Sequence, residues 1–207
     1  MSRPGDPPSL DAVVLAGGRS TRLEGQDKAT LLLEGARLVD RAVAAARAAG
    51  ARRCVVVGPD SLEPGVAVVQ ERPPFGGPVA GLGAGLAALG PSEQCSTAVL
   101  VLACDLADPV AAVGALTAVW VAGVTEAGAH LVDETGRPQW LAGIYRRSAL
   151  DAALAELGDP AGRSARRLLS GLALRPVEAP ASATADIDTW EDLSIARRRR
   201  ARGGTDE

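Results

Sequence analysis

"LDAVVLAGGRSTRLEGQDKA", residues 10–29, sets an apolar run directly before a glycine pair and a mixed basic, hydroxyl and acidic stretch. The run "LDAVVLA" (10–16) closes at Gly17 and Gly18, the length and stop signal of a buried strand. Paired glycines let the backbone turn sharply and aim its N–H groups at an anion. Arg19, Arg22 and Lys28 add positive charge within the same loop, and Ser20 and Thr21 add hydroxyl donors. Two readings fit. One is a strand ending at a phosphate site; the other is a plain strand–turn corner, which explains the glycines but not the cations. The stretch lacks both GxxxxGK[ST] and GxGxxG, so neither a Walker loop nor a dinucleotide fingerprint is supported.

The alternation of apolar runs and turn signals continues on both sides of this loop. "RRCVVVG" (52–58), "VAVVQ" (66–70), "TAVLVLACD" (97–105), "QWLAGIYR" (139–146) and "ALRPVEA" (173–179) read as strands. "ATLLLEGARL" (29–38) reads as a short extended piece broken at Gly35. "LVDRAVAAARAAG" (38–50) puts Leu38, Ala42, Ala45, Ala46 and Ala49 on one helical face, with Gly50 as its stop. "GPVAGLGAGLAALG" (77–90) reads as helical from its apolar content, against the low helix propensity of its glycines. "DPVAAVGALTAVWVAG" (108–123) has Pro109 suited to a first turn. "RSALDAALAEL" (147–157), "GRSARRLLSGL" (162–172) and "DTWEDLSIARRRR" (188–200) complete the helices. Strands alternating with helices predict an α/β fold whose mostly parallel sheet is covered on both faces. Such sheets bind ligands beyond the carboxyl ends of their strands. Gly17–Gly18, Gly58, Gln70–Arg72 and Cys104–Asp105 are therefore expected to converge on one side.

Bulk properties narrow the class. A chain of 207 residues predicts one domain, placed at 10–196, with a disordered segment at 1–9 and a basic, flexible tail at 197–207. With 47% hydrophobic but only 2% aromatic residues, the core must be built from small aliphatic side chains. A net charge of −3 argues against nucleic acid as a partner. The "ARRRRAR" run (196–202) suits a helix C-terminus and a solvated tail. Cys54, Cys95 and Cys104 lack metal-site spacing and read as free thiols of a reducing, cytoplasmic protein. No stretch reaches the roughly 18 apolar residues of a membrane span, and the Pro- and Gly-rich start does not read as a signal peptide. With His130 the sole histidine, a Ser–His–Asp hydrolase is disfavoured. Trp120, Trp140 and Trp190 read as packing residues.

Three further motifs carry chemistry. In "LVLACDLADP" (100–109), Asp105 stands directly after a buried strand, where a charge is costly unless paired or bound to a cation. A hard oxygen ligand there suits Mg²⁺, which takes one or two carboxylates plus substrate phosphates. The rival is a capping or turn aspartate, a role for which Asp108 before Pro109 is better placed. In "ADIDTWEDL" (185–193), Asp186 and Asp188 alternate and share one face of an extended segment. Asp188 could reach a metal with Asp186 in support; helix capping by Thr189, with Asp192 three residues on, accounts for the motif equally well. In "ERPPFGGPVAGLGAGL" (71–86), Gly76–Gly77 permit close approach of a flat ligand whose base edge the backbone could read, or form a structural turn.

Taken in order, these motifs resemble those of the nucleotidyltransferases. "LAGGRSTRLEGQDKA" is similar to their LAGGxSxRMGxxKA signature, "FGGPVAGL" to their GPLAG loop, "LACDL" to their CDMP strand end and "DIDTWEDL" to their DxDTPEDL motif. Together they span residues 10–195, and the molybdenum cofactor guanylyltransferases (MobA type) match best. The resemblance implies a Rossmann-like three-layer sandwich of the nucleotide-diphospho-sugar transferase type. It implies backbone contacts to the nucleotide from Leu15, Ala16, Gly17 and Gly18, and further nucleotide-binding positions at Gly58, Arg72 and Gly77. Arg22 and Lys28 would hold the triphosphate and, with Asp105, carry catalysis. Asp105 would bind Mg²⁺, with Asp188 a second metal ligand. The implied reaction moves GMP from GTP to a phosphorylated pterin, the molybdenum cofactor, and releases pyrophosphate; proteins of molybdoenzyme maturation are implied partners, with no nucleic acid and no membrane. Cytidylyl transfer to the same cofactor, a phospholactate-type guanylyl transfer and a non-catalytic nucleotide-binding regulator are the alternatives. The chain departs from the family pattern at Arg72, where aspartate is common and Glu71 is the nearest carboxylate; at Gly58, where some members carry asparagine; and at Leu23-Glu24, in place of Met-Gly.

Overall fold

The structure, a computed structural model, describes residues 9–17, 27–91 and 96–203. Strand β1 (Leu10–Leu15) is buried along its whole length, as an all-apolar strand in the middle of a two-sided sheet must be. A turn of 3-10 helix (Lys28–Thr30) leads into a small hairpin, β2 (Leu32–Leu33) and β3 (Ala36–Arg37). Helix α1 (Leu38–Ala48), β4 (Ala51–Val57), β5 (Ala67–Val69), α2 (Pro78–Leu89), β6 (Ala98–Ala103) and α3 (Pro109–Val121) follow. Then come β7 (Gly128–Val132), β8 (Pro138–Arg146), α4 (Arg147–Leu157), α5 (Ala165–Leu169), β9 (Leu174–Glu178), α6 (Ala181–Thr184) and α7 (Trp190–Gly203).

The main sheet has seven strands in the order β5-β4-β1-β6-β8-β7-β9. β1 pairs in parallel with β4 and β6, β4 with β5, and β7 with β9; only the pairs that β8 makes with β6 and β7 are antiparallel. The expected mostly parallel α/β sheet is therefore present. Side chains alternate across it. Ala12 and Val14 join Val56, Leu100 and Leu102 under α1 and α3, whereas Val13 and Leu15 join Val55, Val57, Val99 and Val101 under α2, α4 and α5.

The glycines of α2 find their reason in this packing. A Cβ on Gly85 would lie 2.6 Å from Val13 Cγ1, and one on Gly81 would lie 3.3 Å from Leu15 Cδ2. The missing side chains let the helix settle onto β1 and β4, and that contact outweighs poor intrinsic propensity. At the opposite end of the sheet from the strand carboxyl ends, Asp11 is wholly buried. It accepts from the Ser96 N–H at 2.9 Å and from the backbone and guanidinium of Arg53 at 3.2 and 3.3 Å.

Some elements differ from expectation. β7 has no counterpart among the expected strands: "GAHLV" has little β propensity of its own and is held by β8 on one side and β9 on the other. Helix α7 runs to Gly203, so residues 197–203 are helical rather than a flexible tail; Arg197 ties this stretch to the body by donating to the Leu32 carbonyl at 2.9 Å. Cys54 and Cys104 are buried free thiols; Cys95 lies outside the described residues. Among the described residues, no helix is long and apolar enough to cross a membrane.

Candidate active site at the strand carboxyl ends

Because β4, β1 and β6 run in parallel, their carboxyl ends finish along one edge. Ala16 N–H donates to the Val57 carbonyl at 2.7 Å, and Cys104 N–H to the Leu15 carbonyl at 3.0 Å, so the pairing continues into the loops. A cleft of about 220 Å³ opens there, walled by Leu15, Ala16 and Gly17 on one side and by Glu71, Phe75 and Gly77 on the other. Lys28 and Asp105 also line it. Gly77 is the N-cap of α2 and holds φ 88°, a left-handed conformation that favours glycine.

Lys28 reaches the cleft from the 3-10 turn, which Asp27 caps by accepting from Ala29 N–H at 3.0 Å. Its ammonium donates to Asp105 Oδ2 at 3.2 Å and also to Asp188 Oδ1. The late motif is brought here by backbone pairing. Ile187 N–H donates to the Asp105 carbonyl at 2.8 Å, Ala107 N–H to the Ala185 carbonyl at 2.9 Å, and Leu106 and Asp186 form an antiparallel bridge. Residues 185–187 thus lie along 105–107, with Ile187 fully buried as the anchor.

Two sequence-level ambiguities are settled by these contacts. Asp108, not Asp105, caps α3, accepting from Ala111 N–H at 3.1 Å. Thr189 and Asp192 form the reciprocal cap of α7: Asp192 accepts from Thr189 N–H at 2.8 Å, and Thr189 Oγ1 accepts from Asp192 N–H at 3.1 Å. The Asp188 carboxylate is turned instead to Lys28.

The electrostatics follow from this crowding. Burial pulls the Lys28 pKa down, but the Asp188 hydrogen bond and the charges of Asp105 and Asp188 outweigh it, and the net shift is upward. Asp186 keeps an exposed face, but its carboxyl is pushed up to about 7, first by partial desolvation and then by the charges of Asp105 and Asp188. Burial raises the Cys104 thiol well above its ordinary value, so this neighbour of Asp105 is no thiolate. Asp105 and Asp188 already converge on one cation, the Lys28 ammonium. Two converging carboxylates beside a cleft suit a hard divalent ion that completes its shell with water and phosphate oxygens. Among the described residues, no three or more His, Cys, Asp or Glu side chains are placed to hold one metal ion together.

Of the other anticipated positions, Gly58 lies behind the wall. Its N–H donates to the Val69 carbonyl at 2.9 Å, and a Cβ there would stand 3.0 Å from Leu62 Cδ1 and 3.3 Å from Ala16 Cβ. Arg72 is exposed and off the cleft wall, whereas Glu71 is 9% exposed and on it. Gly18 and Arg22 lie outside the described residues.

Sequence reasoning missed a second cleft. It measures about 870 Å³ and shares Ala103, Asp105 and Leu141 with the first. Asp186 and Asp188 face it, together with Arg137, Gln139, Trp140 and Arg166. Trp140, read as a packing residue, does pack on His130, with ring centroids 4.8 Å apart, yet it also forms cleft wall. The loop preceding α5 is tied to the first cleft: Gly162 N–H donates to the Gly76 carbonyl at 2.7 Å.

A family model for the MobA-like NTP transferase domain matches residues 12–177, which takes in β2 to β8 and most of β1 and β9. The chain belongs to the MobA-like NTP transferase family. Over 101 residues it is 36% identical to a molybdenum cofactor guanylyltransferase of Burkholderia cenocepacia and 37% identical to one of Burkholderia lata. Each match takes in 43% of this chain and 48% of the relative, so the chain spans about half the length of the curated relatives it matches. Among solved structures, Rv0371c from Mycobacterium tuberculosis H37Rv superposes with a TM-score of 0.70 at 22% identity, covering 93% of this chain and 99% of that one. Molybdopterin-guanine dinucleotide biosynthesis protein A from Archaeoglobus fulgidus gives 0.65 at 19% identity, with the same coverage. A 2-C-methyl-D-erythritol 4-phosphate cytidylyltransferase from Thermus thermophilus gives 0.60 at 20% identity over 93% of this chain and 99% of that one. These likenesses show the nucleotide-diphospho-sugar transferase fold expected from the motifs.

Proposed function

We propose that this protein transfers GMP from GTP to a phosphorylated pterin, the molybdenum cofactor, with Mg²⁺ as its metal. The observation that carries this reading is the place of Asp105, which lines both clefts and shares the Lys28 ammonium of the first with Asp188 of the second. The first cleft would take the nucleotide, its triphosphate over Gly17 and Lys28 and its base towards Glu71 and Gly77. The second would take the acceptor. The names of the Burkholderia relatives support guanine and the molybdenum cofactor as the substrates.

In the reaction, an acceptor phosphate oxygen attacks the α-phosphorus of GTP. The bond from that phosphorus to the bridging oxygen breaks, and pyrophosphate leaves. The acceptor is already an anion, so no protein nucleophile or base is required. The chain's task is to align the two phosphates and neutralise their charge. Lys28 would move its hydrogen bonds from Asp105 and Asp188 to the triphosphate. Asp105 and Asp188 would hold Mg²⁺, which when bound supplies Lewis-acid neutralisation of phosphate charge.

The test is pyrophosphate release from each of the four ribonucleoside triphosphates with Mg²⁺ and Mo-molybdopterin. GTP is expected to support release and the others are not. Preference for CTP would overturn the guanine assignment. GTP binding without release for Mo-molybdopterin or for phospholactate would identify a nucleotide-binding regulator instead.

A further inference from the structure

Among the described residues, only two that are not glycine hold a left-handed backbone, Glu34 at φ 57° and Phe75 at φ 63°. Glu34 is accounted for by its hairpin. With Gly35 at φ 79° it makes the two-residue turn between β2 and β3, and such turns demand positive φ at both positions. Phe75 belongs to no hairpin. It stands in the loop between β5 and α2, where a bulky side chain is crowded by its own backbone at that angle and glycine is the unstrained choice. Its two successors are glycines. A Cβ on Gly76 would lie 2.8 Å from Ala80 Cβ, and Gly77 holds φ 88°. The chain thus supplies glycine at two of three consecutive demanding positions and its only phenylalanine at the third.

Core packing does not explain that choice. Phe75 is 62% exposed, so most of the ring's apolar area stays in water. Leu32, Val110, Val121 and Trp190 are also large and exposed, but none of them lines either cleft and none has a positive φ. Phe75 lines the first cleft, on the wall that faces Leu15, Ala16 and Gly17. The loop is fastened beside it, since the Gly76 carbonyl accepts from Gly162 N–H at 2.7 Å. A strained residue persists only where its surroundings fix it, and such residues gather where a ligand is gripped. Here the gripped group meets a flat, apolar π face, set apart from the Lys28 and Asp105 charges that line the same cleft.

We propose that Phe75 is the stacking platform for the nucleobase in the first cleft, and that it favours a purine because two fused rings cover more of its face than one. The proposal rests on the reading of this cleft as the nucleotide site. It adds a residue that acts on the base alone, not on the phosphates.

The experiment measures binding of GTP, CTP and inorganic tripolyphosphate to the full chain by calorimetry in the presence of Mg²⁺. Phe75→Gly removes the ring and accepts the left-handed backbone without strain. It is expected to weaken GTP about ten-fold or more, to weaken CTP less, and to leave tripolyphosphate binding and the thermal midpoint unchanged. Phe75→Tyr, which keeps the ring, is expected to retain the parent's GTP affinity. Unchanged GTP affinity in Phe75→Gly would overturn the proposal. So would an equal loss of GTP and tripolyphosphate, which marks a disturbed loop, and so would a failure of Phe75→Tyr to retain binding. Ring-dependent GTP binding in a chain that releases no pyrophosphate with Mo-molybdopterin would keep the stacking role and reject the transferase reading alone. A parent chain that binds no nucleotide would reject both.

Discussion

The two halves of the sheet use the same residue type for opposite ends. In the β5-β4-β1-β6 half, Gly81 and Gly85 remove side chains from a helix so that it can press against Val13 and Leu15. In the β8-β7-β9 half, Gly143 and Gly128 remove side chains from the sheet itself, and the space is filled by the Tyr145 ring, which is fully buried. One half gains close layers, the other a large internal aromatic. The clefts differ in the same way. The first is built at strand carboxyl ends. The second is built around the start of β8, because β8 runs antiparallel to β6 and brings Pro138–Ala142 beside and beyond Leu102.

Several substitutions would break or sharpen this contrast. Asp105→Asn strikes the point that the halves share. We expect pyrophosphate release to fall by about 10²–10³-fold with the thermal midpoint almost unmoved, since Asp105 is half-buried and caps no helix. A loss confined to the KM of one substrate would place Asp105 in one cleft only. Next in size is Gly85→Val, which forces atoms into Val13; overpacking of this kind costs about 1–3 kcal/mol, measurable as a lower denaturant midpoint. An unchanged midpoint would mean that α2 can lift without penalty. Tyr145→Phe, in the other half, loses the hydrogen bond to the Trp140 carbonyl while keeping the ring. It should cost about 1 kcal/mol, read as a lower denaturant midpoint.

The smallest effect is expected from Asp186→Asn, read as stability against pH in the presence of a chelator. The folded chain holds a proton on Asp186 up to about pH 7, which an unfolded aspartate of pKa 3.8 releases. The folded state therefore binds more protons between those values. Stability falls as pH rises from about 4 to about 7 and is level above that. Asparagine should flatten the fall. The residue keeps an exposed face, so solvent damps the size of the slope without changing its sign. A slope identical in the variant would show that the proton sits elsewhere.

What could be read from the sequence follows the same division. The first cleft was legible because strand-end logic applies to parallel strands. Gly17 and Asp105 fall directly after apolar runs, and the rule brings them together. Asp188 was set beside Asp105 by the family resemblance alone: nothing local says that 185–187 pairs with 105–107, a contact between segments about eighty residues apart. The Thr189–Asp192 cap looked like a competitor for Asp188 and proves to operate beside it. Arg137 and Trp140 were illegible as cleft residues, since they sit at the start of a strand and only its antiparallel direction puts them there. β7 was hidden for a related reason, its stability being borrowed from two neighbours rather than written into "GAHLV".

The hydrogen bond from Gly162 to the Gly76 carbonyl has a consequence for the order of events. It fastens the loop before α5, which serves the second cleft, to the loop before α2, which serves the first. A nucleotide that stills one loop therefore removes conformational freedom from the other before any acceptor arrives. On the proposed reading the second ligand would then have less motion left to suppress, a coupling additional to the contact between the two reacting phosphates. Amide exchange at Gly162 should slow when GTP alone is added, a response seated in one cleft to an occupant of its neighbour.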